Sequence, residues 1–208
     1  MLQLRSATAI ITIVTVAISA IAILFAGVDL AAVFGGFIPA RVTGQLSLPG
    51  ALPAFLTPWS SALLHGGWLH LAINMLMLIF VGSQVERVVG APGLVFAYLV
   101  GALVAAAAQF AVDPASTVPL VGASGAISAL FGLYALFFGR PKQVTRNLTV
   151  NRWIHAAWLL GAWVVIQWMA GVLAGGEGVL LATPAHIGGF IAGMLLQRPL
   201  LLWRYRKA

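Results

Sequence analysis

The segment "VGASGAISALFG" (Val121–Gly132) places one hydroxyl, that of Ser124, among small residues at the head of an otherwise apolar run. Small residues let two membrane helices approach closely. A polar group in such a run normally faces the interior of a helix bundle or a water-filled cavity. The segment therefore predicts a helix that begins near Ser124 and packs closely against a neighbouring helix.

The composition places the chain in a membrane. It has 208 residues, of which 62% are hydrophobic and 7% are charged, whereas a soluble domain has about 25% charged residues. The net charge of +7 comes from short basic clusters between apolar runs, with no basic face suited to nucleic acid. The predicted partner surface is the lipid bilayer, and the absence of cysteine excludes disulfides and thiolate chemistry.

Apolar runs predict an all-α membrane protein, a polytopic bundle of six transmembrane helices that forms one domain over residues 1–208. Each span needs roughly 20 apolar residues. The first run is interpreted as a retained span, because its uncharged length exceeds the roughly 7–15 residues of a signal-peptide core. The proline-rich but apolar first loop, Asp29–Trp59, is expected to lie partly in the membrane. The runs lie at about 8–28, 64–84, 93–112, 119–139, 153–173 and 183–203.

The distribution of charge predicts the orientation of these spans. With a cytoplasmic N-terminus, the inner segments hold 10 of the 11 Lys and Arg residues, and only Arg41 lies outside. This asymmetry follows the positive-inside rule and predicts that both termini are cytoplasmic. Three of the four acids fall outside. The inner basic residues are Arg5, Arg87, Arg140, Lys142, Arg146, Arg152, Arg198, Arg204, Arg206 and Lys207, and the outer acids are Asp29, Asp113 and Glu177.

Polar residues converge near the outer ends of the second, fourth and sixth spans. At 1.5 Å per helical residue their depths agree to within about 10 Å. His155, near the inner end of the fifth span, is expected to lie too far away to join them. The converging residues are His65, His70 and Asn74 in the second span, Ser124 in the fourth and His186 in the sixth.

Ser124 and His186 are the candidate catalytic pair. A serine hydroxyl is a weak nucleophile until a base accepts its proton, and imidazole suits that role near neutral pH. The ridge of small residues Ala185, Gly189 and Gly193 would bring the sixth span against the fourth. No acid lies at the depth of His186, so the sequence predicts a Ser–His dyad.

Hydrolysis also requires stabilisation of an oxyanion and a supply of water. Backbone N–H groups at the start of the helix at Ser124 are candidate donors, and His70 and Asn74 share one helical face that can add two more. A nonhelical turn at Gly122 is tolerated at membrane depth only where protein or water satisfies it. A wet cavity open to the outer face is therefore expected.

Three motifs, in this order and topology, resemble the rhomboid family of intramembrane serine proteases: "HGGWLHLAIN", "GASG" and "AHIGGFIAG". The resemblance implies that Ser124 is the nucleophile and His186 the general base, with an oxyanion hole of His70, Asn74 and the Ser124 backbone. It also implies a structural role for His65 and no cofactor or metal. Supporting positions are Gly122, Gly125 and Gly189. The implied substrates are transmembrane protein segments cut near their outer end. The short, minimal six-helix form favours a bacterial inner membrane as the location.

Two positions depart from the pattern of many bacterial rhomboids. The first loop has "PAR" (Pro39–Arg41) in place of a Trp-Arg pair. Ser128 stands where a tyrosine commonly supports the ring of the catalytic histidine. The tryptophans of the fifth span, which include Trp158 and Trp163, are expected to face lipid or the membrane interface.

Two other classes of function remain open from the sequence. One is a rhomboid-like protein that binds membrane helices without cutting them, although such relatives generally lose the serine or the histidine. The other is a transporter or channel with His65, His70 and His186 as metal ligands. Against this hypothesis, no carboxylate or thiolate is predicted at the same depth to complete the metal coordination.

Overall fold

The computed structural model describes residues 5–139, 142–173 and 182–206, and within these ranges the chain is almost entirely helical with no strand. One isolated antiparallel bridge pairs Phe37 with Leu120. Arg140, Glu177 and Lys207, which enter the charge count, lie outside the described residues. The α-helices are α1 (Ala7–Ile21), α2 (Val28–Gly35), α3 (Pro39–Val42), α4 (Thr57–Ser60), α5 (Trp68–Met77), α6 (Ser83–Val112), α7 (Ser124–Phe138), α8 (Leu148–Leu173) and α9 (Thr183–Arg204).

Among the described residues, three helical stretches are long and apolar enough to cross a bilayer: Ala7–Ala26, Trp68–Val112 and Thr183–Arg204. The second has 45 residues, about twice the roughly 20 that one span needs. It is interrupted at Gly90, whose φ of 75° is not helical, so the chain changes direction there. The chain is thus a helical integral membrane protein, and the count of six spans stays a prediction.

Some helix limits differ from those expected. The fourth apolar run begins at about residue 119, but the helix α7 begins at Ser124, as the segment around that serine predicts, because the residues before it form a turn in which Gly122 has a φ of 120°. The fifth begins at Leu148 rather than residue 153. There the side chain of Asn147 accepts hydrogen bonds from the first backbone N–H groups of α8, which lets the helix start earlier than its apolar run.

The core of the bundle surrounds α7. All the residues from Ala126 to Leu133 are buried, and because this stretch covers two helical turns, α7 is enclosed on all sides there. A helix of 15 residues spans about 22 Å, less than the roughly 30 Å of a hydrocarbon core. A helix of this length cannot reach both membrane surfaces, and its first residue, Ser124, is buried in the protein.

The backbones of α7 and α9 touch through glycine. A Cβ added to Gly189 would overlap the carbonyl oxygen of Gly125, and one added to Gly193 would overlap that of Ala129. These positions belong to the ridge of small residues in the sixth apolar run. Because these glycines have no side chain, the two backbones come close together. Neighbouring residues of α9, such as His186, can therefore reach the start of α7.

The start of α1 and the end of α9 lie at the same end of the bundle. Both carboxylate oxygens of Glu86 accept hydrogen bonds from the backbone of α1, at Ala7 (2.8 Å) and Thr8 (2.9 Å). A carboxylate at a helix N-terminus is stabilised by the helix dipole. After α9, the Tyr205 hydroxyl donates to the carbonyl of Val88 at 3.2 Å. An arrangement with both ends on one side agrees with an even number of spans.

The first loop is folded and attached to the turn before Ser124. The guanidinium of Arg41 donates to the carbonyl of Leu52 at 2.6 Å, which closes the loop on itself. The hydroxyl of Ser60 donates to the carbonyl of Gly35 at 2.6 Å. Phe37 and Leu120 exchange backbone hydrogen bonds of 3.0 and 2.8 Å. Arg41 therefore helps to anchor the loop, even though the Trp-Arg pair is missing.

We expect Gly193→Ala to destabilise the bundle, because the added methyl group would overlap the Ala129 carbonyl and force α7 and α9 apart. Overpacking of this kind lowers the free energy of unfolding by about 1–3 kcal/mol. The measurement is thermal unfolding in detergent. Gly161→Ala on α8 is the matched control, since a Cβ there meets nothing within 4 Å. Equal unfolding temperatures for the two variants would contradict the close packing.

Candidate active site

Ser124 and His186 meet at the junction of α7 and α9. Ser124 is the first residue of α7, and His186 lies in the first turn of α9. His186 Nε2 is 2.9 Å from Ser124 Oγ, within hydrogen-bond distance, and the two residues are 3% and 7% exposed. The pair is thus buried and arranged so that the imidazole can accept the hydroxyl proton.

The other nitrogen of the His186 ring, Nδ1, is buried and has no hydrogen-bond partner among the residues that the structure describes. Of the acids, Glu86 is bound to the start of α1, and Glu177 lies outside the described residues. The one hydrogen bond of the ring in the described structure is therefore the one to Ser124.

The turn before Ser124 depends on Gly122. Its φ of 120° is a conformation that residues with a side chain rarely adopt. The His70 ring also lies against it: Cε1 and Nε2 are 2.8 and 2.9 Å from the place that a Cβ on Gly122 would occupy. The Gly122 N–H donates to the carbonyl of Ser61 at 2.9 Å. Both the backbone and the neighbouring ring therefore require glycine.

His65 holds this turn from the other side, and its tautomer follows from its partners. The single hydroxyl proton of Ser19 goes to the carbonyl of Leu63 at 2.8 Å, so Ser19 Oγ accepts from His65 Nδ1–H at 2.8 Å. The Nε2 atom is then an acceptor, and the N–H of Ala123 donates to it at 3.4 Å. His65 thus links α1 to the residue before Ser124.

His70 and Asn74 lie one turn apart on α5. His70 Nδ1 accepts from the N–H of Gly66 at 3.3 Å, so the ring proton is on Nε2, the atom beside Gly122. Asn74 is completely buried, and its Nδ2 donates to the carbonyl of His70 at 2.9 Å. A side-chain amide has two N–H groups, so Asn74 retains a second donor.

A small cavity of ≈ 20 Å³ borders Ser124. Its lining includes Ser61, Ala105 and Gly125. About 10–15 Å³ on this measure is enough for one water molecule. The space beside Ser124 therefore has room for one water molecule, and a wet cavity open to the outer face stays a prediction.

The structure brings together the site residues named from the sequence and separates His155 from them. The His155 ring lies against Gly139 just beyond the end of α7, with Cδ2 2.9 Å from where a Cβ on that glycine would lie. His65, His70 and Gly122 contact one another or the turn before Ser124, and Gly125 and Gly189 form the contact behind it. The His65 and His70 ring centroids are 5.1 Å apart.

The expectation for Trp163 was wrong. Its side chain is 1% exposed and points into the bundle, whereas Trp158 on the same helix is 67% exposed. A polar residue within a span normally faces the bundle interior, and Gln167 lies four residues after Trp163, on the same face of α8. That glutamine, 5% exposed, was the signal in the sequence that could have identified the inward face.

Comparison with known proteins agrees with this arrangement of motifs. The family model described as "Rhomboid domain" matches residues 54–203, which include every polar residue of the site except Ser19. The chain belongs to the rhomboid family.

Several rhomboid relatives are similar over about two thirds of this chain. "RHOMBOID-like protein 4" of Arabidopsis thaliana is 34% identical over 141 residues, which are 67% of this chain and 32% of that protein. "Rhomboid protease GlpG" of Pectobacterium atrosepticum is 33% identical over 138 residues, 66% of this chain and 46% of that protein. "Rhomboid protease GluP" of Bacillus subtilis is 32% identical over 140 residues, 66% of this chain and 24% of that protein. In each case the match spans less than half of the relative's own length.

We expect Gly122→Ala to abolish or strongly reduce the reaction of Ser124 with a fluorophosphonate probe, because the new methyl group would displace the His70 ring and the turn. Gly44→Ala is the matched control: Gly44 also has a positive φ, 75°, but a Cβ there meets nothing within 4 Å. A positive φ adds backbone strain of order 1–3 kcal/mol to either variant, but only Gly122→Ala also pushes a methyl group into the His70 ring. Equal labelling of the two variants would contradict a specific role for Gly122.

Proposed function

We propose that this rhomboid-family chain is an intramembrane serine endopeptidase that uses Ser124 as nucleophile and His186 as general base. The observation that carries the proposal is the buried contact of 2.9 Å between Ser124 Oγ and His186 Nε2. His186 accepts the hydroxyl proton as Ser124 Oγ attacks the peptide carbonyl. It then donates that proton to the departing amine, and a water activated in the same way hydrolyses the acyl-enzyme.

The surroundings of Ser124 supply the donors that an oxyanion needs. The N–H of Ser124 lies at the N-terminus of α7, where backbone donors are free and the helix dipole favours negative charge. His70 contributes Nε2–H from beside Gly122, and Asn74 contributes its second amide N–H. We propose that these three donors act together on the oxyanion, because donors that are already in place stabilise the charge of a tetrahedral intermediate without a reorganisation cost.

An apolar groove between α5 and α8 supports transmembrane segments as substrates. Its volume is ≈ 440 Å³, and almost all of its lining is apolar. A substrate helix arriving from the lipid can lie in such a groove without burying unpaired polar groups. We propose that cleavage occurs near the outer end of that helix. The lining residues are Leu76, Met77, Phe80, Phe131, Leu159, Ala162, Trp163 and Ile166.

We place the protein in a bacterial inner membrane with six spans, both termini in the cytoplasm and the site opening to the outer side. The positive-inside asymmetry supports this orientation. The contact of Glu86 with α1 and that of Tyr205 with Val88 support it further. These contacts put the start of α1 and the end of α9 on one side of the bundle, the side that carries the inner basic residues.

The other two functions have less support. In a metal site His65 would need a free ring nitrogen, but both of its nitrogens already take part in hydrogen bonds. Among the described residues no group of three His, Cys, Asp or Glu side chains is placed to hold a metal ion. A rhomboid-like protein that only binds membrane helices does not need a serine and a histidine within hydrogen-bond distance of each other, as Ser124 and His186 are here.

Ser124→Ala and His186→Ala should each abolish cleavage of a reporter protein with one transmembrane segment, because each removes one half of the proton transfer. Cleavage is measured by gel after reconstitution in liposomes. His155→Ala is the control and should retain nearly full activity, since His155 lies beyond the far end of α7. Cleavage at the wild-type rate by either site variant would rule out the dyad.

Asn74→Ala should lower kcat by about 10–10³-fold, by analogy with the loss of one oxyanion donor. KM should change little, because the donor acts mainly on the charge that develops in the transition state. The measurement is steady-state cleavage of the same reporter. An unchanged kcat would remove Asn74 from the oxyanion hole.

A further inference from the structure

The His186 ring needs support that its hydrogen bonds do not supply. Within the described ranges it makes one hydrogen bond, to Ser124, while Nδ1 has no partner. In a catalytic triad a carboxylate at Nδ1 holds the imidazole in the productive orientation. Where that carboxylate is missing, packing around the ring has to fix its orientation.

We infer that Trp163 of α8 is a positioning residue for the catalytic pair, acting on His186 through its ring and on Ser124 through the hydroxyl of Ser128. This inference rests on the proposed function. It adds a role for α8, a helix that contributes no residue to the Ser124–His186 pair or to the oxyanion donors.

The first part of the connection is a chain of two hydrogen bonds. The Trp163 indole N–H donates to Ser128 Oγ at 2.8 Å. Ser128 Oγ in turn donates to the backbone carbonyl of Ser124 at 2.7 Å. An indole can only donate, so the Ser128 hydroxyl accepts from Trp163 and its own proton goes to Ser124. The chain therefore has one direction and ends on the nucleophile's own residue.

The second part of the connection is contact between rings. The Trp163 ring packs on Phe131 with centroids 4.7 Å apart and an interplanar angle of 31°. It meets the His186 ring edge-on, with centroids 6.4 Å apart and an angle of 64°. An edge-to-face contact at this distance favours one orientation of each ring. Trp163 is therefore fixed by Phe131 and in turn limits rotation of His186.

The packing between α7 and α9 explains why the support comes from α8. Ser128 faces Gly189, and its Cβ is 3.1 Å from where a Cβ on Gly189 would lie. A larger side chain at residue 128 would have to pass this tight contact before it reached the His186 ring. The aromatic ring comes instead from the neighbouring helix, and the small hydroxyl of Ser128 connects it to α7.

The test compares Trp163→Phe, Ser128→Ala and the double variant with wild type. Trp163→Phe keeps an aromatic ring but removes the N–H, and Ser128→Ala removes the hydroxyl. Loss of one buried hydrogen bond corresponds to a drop of about 3–10-fold in kcat. We expect that drop in each single variant, together with an equal drop in the rate of fluorophosphonate labelling. The KM of Ser128→Ala should stay within about twofold of wild type, because Ser128, unlike Trp163, is not among the lining residues of the proposed substrate groove.

The double variant tests the chain itself. Because both substitutions break the same connection, the double variant should be no slower than the slower single variant, whereas independent effects would multiply. Trp158→Phe is the matched control: it makes the same change on the same helix at a residue that is 67% exposed, and it should leave kcat and labelling unchanged. Ser128→Ala, a small change, keeps the test available if Trp163→Phe does not fold.

Three results would overturn the inference. One is wild-type kcat and labelling in Trp163→Phe with only a lower melting temperature, which would make Trp163 purely structural. The second is multiplicative loss in the double variant, and the third is an equal loss in Trp158→Phe. If wild type itself neither cleaves the reporter nor reacts with the probe, the proposed function fails and this inference with it. An active wild type with an unaffected Trp163→Phe contradicts the positioning role alone.

Discussion

The close approach of α7 and α9 is the constraint on which the rest of the site depends. Gly189 and Gly193 bring the backbone of α9 against carbonyl oxygens of α7. Only at that separation can His186 Nε2 lie 2.9 Å from Ser124 Oγ. Van der Waals packing of small residues is a main source of helix association in membranes. The same residues that hold the two helices together therefore set the distance on which catalysis would depend.

Polar side chains at membrane depth need partners, and here the partners also fix the geometry. His65 uses both ring nitrogens, one toward α1 and one toward the turn before Ser124. His70 uses Nδ1 on Gly66, which leaves Nε2–H beside the turn. The histidines that do no proton transfer in the proposal thus hold the turn and its glycine in place. The atoms left without a partner in the described part of the chain include His186 Nδ1 and Asn74 Oδ1, both at the site.

Much of this arrangement could be predicted from the sequence, because depth along a span and small-residue spacing are both readable from residue order. Ser124, His186, His70 and Asn74 were placed at one depth on that basis, and the family resemblance is confirmed by the matching domain. The break at Gly90 falls between the two apolar runs 64–84 and 93–112 that the sequence predicts.

Trp163 was misplaced because four tryptophans follow one another at intervals of five along the fifth span, each points in a different direction, and only Gln167 marks the inward face. Composition alone favours lipid for all of them. The departure at Ser128 was visible in the sequence, but its consequence was not: the ring beside His186 comes from α8. Which helix supplies the aromatic ring beside His186 depends on three-dimensional packing, and the order of residues does not reveal that packing.

The most direct test of the central claim is peptide mapping by mass spectrometry after the protein, in its membrane, has reacted with a fluorophosphonate probe. A hydroxyl becomes reactive toward such a probe when a base within hydrogen-bond distance accepts its proton. The account predicts one adduct, on Ser124, that disappears in His186→Ala. An adduct on another serine, or undiminished labelling of Ser124 without His186, would contradict it.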